Sequence, residues 1–188
     1  MNIAKTIDSY FKWQVELNWA KKVGLSFIFA AITGISAQIR IPLAWTPVPV
    51  TGQVFVVLLS GVLLGSYYAG LGMIFYLSFG ALGVPWFANF RAGISLGPTL
   101  GYLIGFIPAA IFIGIFAHKN RHLIAQILVM LVGILIIYLI GGLNFAVVMK
   151  TNLPVTLKMA VLPFIPFDIT KAIIAGFVSR AILPDDKH

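Results

Sequence analysis

The stretch VLPFIPFDITKAIIAG, residues 161–176, is apolar almost throughout, yet it holds Asp168 and Lys171 three residues apart. A carboxylate in hydrocarbon costs about 2.5–3.5 kcal/mol even on lenient insertion scales. Residues i and i+3 share a helix face, so the two charges can neutralise each other. Two readings follow. In the structural one, Pro166 takes the first turn of a helix and Asp168 lies near its positive end. In the functional one the pair is a buried polar site. Asp168 accepts N–H groups, and Lys171 donates to a carbonyl or carboxylate.

The whole chain shares this oily character. Of 188 residues, 60% are hydrophobic and 10% charged, with a mean hydropathy of +1.02. A soluble domain is about a quarter charged. Too few charges remain to cover an exterior, so lipid is the solvent for most side chains, as in an integral membrane protein. The chain has no cysteine, which excludes disulfides and cysteine metal sites. Its net charge of +8 is spread over short stretches between apolar runs. That pattern controls topology and does not call for nucleic acid.

Six spans are predicted: Val23–Ile39, Val50–Leu64, Ala69–Val84, Pro98–Ala117, Leu123–Val148 and Pro166–Leu183. The second and third are short, with GSYYAG (65–70) as the turn between them. The fifth is long enough to tilt or to end early at Gly141–Gly142. Proline breaks the apolar stretch 154–165, which reads as a re-entrant or capping segment. Residues 1–22 form an N-terminal amphipathic segment, with Ile3, Ile7, Phe11 and Val15 at helical spacing, as in a helix lying on the membrane surface. Residues 23–188 form one six-helix transmembrane domain. Both termini fall on one side. Eight basic residues lie there against four opposite, which places the termini in the cytoplasm. The three opposite connections are rich in Pro, Gly and aromatics, and read as stiff loops over a cavity.

Further candidates lie in these loops. Asn89 can donate and accept, and Arg91 is a bidentate fork for a carboxylate, or else a solvated loop charge. Gln53 opens the second span, as a ligand contact or an N-terminal helix contact. Ser26, Ala30 and Gly34 form a small-residue row on the first span. Such a row either packs against a helix of the same chain or docks a second membrane protein. His118 and His122 have metal-capable spacing but no third ligand nearby in sequence, and read as a solvated loop. No P-loop and no nucleophile–base–acid set is present, so neither a cofactor nor an enzymatic reaction is called for.

Four blocks carry a resemblance: AQIRIPLAWTPVPVTGQ (37–53), YLSFGALGVPWFA (76–88), GPTLGYLIGF (97–106) and LPFIPFDITKA (162–172). In this order they resemble the BioY family, the biotin-binding S components of energy-coupling-factor (ECF) transporters. The resemblance implies an all-α, six-helix S-component fold in a prokaryotic cell membrane, with an outward-facing biotin pocket. It also implies a transmembrane scaffold (T) subunit, met by the small residues of the first helix, and a pair of ABC ATPases. The family's polar site matches Asp168 and Lys171, and its loop asparagine matches Asn89. This chain departs from the family's glycine-rich run there, with WFANFRAGIS (86–95).

Biotin's ureido ring offers two N–H donors and a carbonyl, which a carboxylate beside a cationic donor complements. Trp45, Trp86, Phe87 and Tyr102 are expected to wall its apolar part. Alternatives are an S component for another vitamin, a solitary oligomeric biotin transporter, a lipid-modifying membrane enzyme and a structural subunit. The enzyme lacks an acidic cluster, because Asp168 is the sole acid within a predicted span.

Overall fold

The computed structural model describes residues 17–94, 96–117, 119 and 122–182. Most of the expected N-terminal amphipathic segment lies outside them, as do His118 and Arg121. The described chain forms six helices and one short hairpin. Helix α1 (Trp19–Ser36) starts where the Asn18 side chain accepts a hydrogen bond from the Lys21 N–H at 3.0 Å, capping an otherwise unsatisfied donor. Strands β1 (Arg40–Ile41) and β2 (Val50–Thr51) pair antiparallel, with Arg40 opposite Thr51. Strands of two residues each are too short to show the alternation that marks a hairpin in sequence.

Helix α2 (Gln53–Ala81) is broken at Gly65, whose φ of 73° and ψ of 176° are open to glycine but closed to L side chains. The Gln53 side chain nevertheless reaches the Tyr76 hydroxyl at 2.6 Å. In one straight helix those residues would lie roughly 35 Å apart. The legs 53–64 and 66–81 therefore run antiparallel. The predicted six-residue turn is a reversal at a single residue, with helix resuming at Ser66. Each leg is shorter than a lipid-facing span of about 20 residues. The first leg lies at the centre, where Val57, Leu58 and Val62 are fully buried.

Helices α3 (Leu100–Phe116), α4 (Leu123–Met149), α5 (Leu153–Ala160) and α6 (Ile165–Ile182) complete the bundle. By length and composition, α4 and the pair α5–α6, bent by 52°, qualify as membrane spans, whereas α2 reaches that length only when its two antiparallel legs are counted together. Helix α4 does not end at Gly141–Gly142. Gly141 instead admits the Tyr102 ring, so its role is close packing of α3 on α4. The stretch 154–165 is the short helix α5 and its bend into α6, and Asn152 caps α5 by accepting from the Val155 N–H at 3.1 Å. At the Gly65 end, Gln126 of α4 is fully buried and bonds to the Ala117 carbonyl and to Ser179 of α6. The start of α1 meets Tyr68 there too, so α1 begins and α6 ends at the same end of the bundle.

One expectation is corrected. Ser26, Ala30 and Gly34 do not face outward toward a partner. Ser26 and Ala30 are fully buried and Gly34 is buried with them. The Ser26 hydroxyl donates to the Tyr68 carbonyl at 2.8 Å, and Gly72 lies against the Ser26 backbone. A Cβ on Gly34 would stand 2.6 Å from the Trp86 Cβ. The small residues let α1 approach the second leg of α2 within the chain itself. Gly34→Leu is thus expected to cost about 1–3 kcal/mol of stability through overpacking. Thermal unfolding in detergent checks this, and an unchanged midpoint would show that the row is free.

Candidate functional site

A cavity of about 700 Å³ opens at the end of the bundle opposite Gly65. That lies within the range of pockets that enclose small ligands. The β-hairpin, the loop stretches 87–94 and 97–99 and the first turns of α2, α3 and α6 bound it, with Ile137 and Tyr138 of α4 at its side.

Its polar end is Asp168. The Asp168 N–H bonds to the Phe164 carbonyl at 2.9 Å, which starts α6 and leaves the side chain in the first turn. Asp168 is 4% exposed. Lys171 Nζ donates to Asp168 Oδ1 at 2.7 Å, and the Tyr138 hydroxyl donates to Oδ2 at 2.7 Å. Lys171 also donates to the Thr51 carbonyl at 2.7 Å, tying α6 to β2. The pair opens a helix and lines the cavity. An ionised carboxylate has about four acceptor positions and an ammonium three donors. With two of each engaged, the pair can still accept and donate.

The mouth is cationic. Arg40 and Arg91 are exposed and line the cavity. Arg40 Nη2 donates to Asn89 Oδ1 at 2.8 Å, which commits the oxygen of that amide and leaves its NH2 group as the donor. Asn89 and the bulky Phe90 both have left-handed backbones, with φ of 66° and 53°. Gln38 holds them there. Its Nε2 donates to the Phe87 carbonyl at 3.1 Å, and its Oε1 accepts from the Phe90 N–H at 3.1 Å. Such strain persists where the surroundings over-determine it.

Between the two ends the wall is apolar, and includes Val48, Phe87, Tyr102, Phe106 and Phe164. The Tyr102 hydroxyl bonds to the Ala160 carbonyl at 2.5 Å, so the ring is what it offers. Gln53 also lines the cavity. Its Nε2 is held by Tyr76, and its Oε1 accepts from the Thr51 hydroxyl at 2.8 Å.

The structure thus gathers Asp168, Lys171, Asn89, Arg91, Gln53, Phe87 and Tyr102 around one cavity. It does not place Trp86 or Trp45 there. The Trp86 indole N–H donates to the Tyr76 carbonyl at 2.8 Å, and its ring packs among Phe27, Tyr76 and Phe79 behind the wall. Trp45 is 61% exposed on the hairpin. Sequence reasoning missed Tyr138, Arg40 and Gln38. In sequence Tyr138 is one more aromatic in an apolar span, although a buried hydroxyl needs a partner. Arg40 stands there only as one of the basic residues that set topology.

The sequence profile of the BioY family matches residues 7–186. A probable biotin transporter BioY from Pyrococcus horikoshii is 41% identical, over 87% of this chain and 96% of its own length. The biotin transporter BioY of Thermotoga maritima is 39% identical, over 81% of this chain and 89% of its own. A crystal structure of the S-component for biotin from an ECF-type ABC transporter superposes with a TM-score of 0.79. It is 25% identical and covers 86% of this chain and 89% of its own.

Removing one partner of a buried ion pair typically costs about 3–5 kcal/mol, whereas replacing both by apolar residues is close to neutral. Lys171→Met is therefore expected to destabilise the detergent-solubilised protein by that amount. Asp168→Leu combined with Lys171→Met should recover most of the loss in thermal melts. Additive losses would mean that the two charges are independently solvated.

Proposed function

This chain belongs to the BioY family, and from that membership we propose that it captures biotin in the cavity above Asp168 and delivers it across the membrane. It is a multi-pass membrane protein and a component of a transporter, not an enzyme. The observation that carries the binding mode is the polarity of the cavity. A neutralised acid–base pair lies at the buried end, two arginines lie at the mouth, and apolar wall lies between.

Biotin has the matching sequence of groups. Its ureido N–H donors go to Asp168 and its ureido carbonyl goes to Lys171. The thioether ring and valeryl chain lie along Phe87, Tyr102 and Phe164. The carboxylate reaches Arg91, with the Asn89 amide as a further donor and Gln53 flanking the ureido end. With about 16 heavy atoms at roughly 0.7–0.8 kcal/mol each, nanomolar affinity is within reach. The net positive cavity also favours an anionic ligand.

The finer reading is that residues 23–188 form the biotin-binding domain and that both termini are cytoplasmic. The charge asymmetry of eight basic residues against four supports this orientation. The superposed S component comes from an ECF-type ABC transporter, which supports transport through a T subunit and an ABC ATPase pair. The small-residue row of α1 is buried within the chain, so a scaffold subunit must meet another surface.

Asp168→Asn keeps the shape and removes the charge. It is expected to weaken biotin at least tenfold, about 1.4 kcal/mol, in calorimetric titrations. Unchanged affinity in a folded variant would remove Asp168 from ureido recognition. Arg91→Ala should weaken biotin more than biotin amide, and equal losses would take Arg91 away from the carboxylate.

A further inference from the structure

We propose that Tyr138 is a specificity-determining residue that tunes the Asp168 carboxylate for a neutral ureido ring and against a cationic ligand head group. The inference rests on the biotin reading above. Tyr138 projects from α4 toward α6 and is 8% exposed. Its hydroxyl donates to Asp168 Oδ2 at 2.7 Å, while Lys171 takes Oδ1 at 2.7 Å. Among the described residues, these two are the donors to that carboxylate. Tyr102, the other tyrosine lining this part of the cavity, donates to the Ala160 carbonyl instead.

Two consequences follow from that geometry. First, donors on both oxygens fix the rotation of the carboxylate, because turning it would break one bond or the other. Its remaining acceptor positions are then set before a ligand arrives, which lowers the ordering cost of binding. Second, an O–H···O⁻ bond draws charge from the carboxylate, and Lys171 neutralises what remains. A carboxylate capped in this way suits the two N–H donors of an uncharged ureido ring. It gives little to a guanidinium, which seeks the full charge and is also repelled by Lys171. A phenyl ring at position 138 would free Oδ2 and restore charge to it.

The test compares two ligands on one preparation, so that any inactive fraction cancels. Biotin and 2-iminobiotin, whose guanidino head group is cationic at neutral pH, are titrated against wild type, Tyr138→Phe and Asp168→Asn. In Tyr138→Phe, biotin is expected to weaken several-fold while 2-iminobiotin holds or tightens. The preference for biotin should fall about tenfold, the scale of one hydrogen bond to a charged group. A merely structural role would move both ligands by the same factor, and that result overturns the proposal. So does an unchanged preference. Tyr138→Leu serves as a second donor-less variant if the phenylalanine protein does not fold. Failure of the biotin reading is separable: wild type would bind neither ligand. If instead wild type binds biotin, Asp168→Asn weakens it and Tyr138→Phe leaves the preference intact, only the role of Tyr138 fails.

Discussion

The ion pair between Asp168 and Lys171, 2.7 Å long and largely buried, is the constraint around which this structure is arranged. A charge taken out of water must be paired and hydrogen-bonded, or its desolvation goes uncompensated. Here each charge has a second partner on another element. Tyr138 of α4 holds the carboxylate, and the Thr51 carbonyl of β2 holds the ammonium. The pair thereby fixes α6 against α4 and pins the base of the hairpin over the cavity. From Thr51 the connection runs across the strand pair to Arg40, and from Arg40 to Asn89 at the mouth. The buried end and the open end of the cavity are thus joined through continuous contacts.

The bundle supplies the walls by close packing. Lipid gives helices little hydrophobic reason to associate, so small residues that admit a neighbouring side chain or backbone decide where they cross. Gly34 receives Trp86, Gly80 receives Phe87 and Gly141 receives Tyr102. The last two bring aromatic rings to the cavity wall. Gly65 does something different: its positive-φ backbone folds α2 back on itself, and Gly114 of α3 lies directly against that reversal.

Much of this is legible in the sequence because it rests on local chemistry. Hydropathy marks the helices, and the single acid in an oily segment marks the polar end of the cavity. Proline and aromatic composition marks the loops that cover it. What is not legible depends on pairings across long separations. Tyr138 meets Asp168 across 30 positions and Arg40 meets Asn89 across 49. No spacing within either segment announces such a meeting. The small-residue row misleads for a related reason. A row of Ser, Ala and Gly says that something approaches closely, but only the packing says that it is the second leg of α2. Trp86 misleads because an aromatic next to Phe87 in a loop has two sides to choose from. Its indole N–H finds the Tyr76 carbonyl behind the wall.

Under the proposed function, the direction in which biotin lies gives the buried pair and the cationic mouth their separate tasks. A crystal structure of the biotin-bound protein tests it most directly. The ureido N–H groups are expected within hydrogen-bond distance of Asp168, and the carboxylate beside Arg91. Biotin seated with its carboxylate on Lys171 and its ureido ring at the mouth would overturn this orientation.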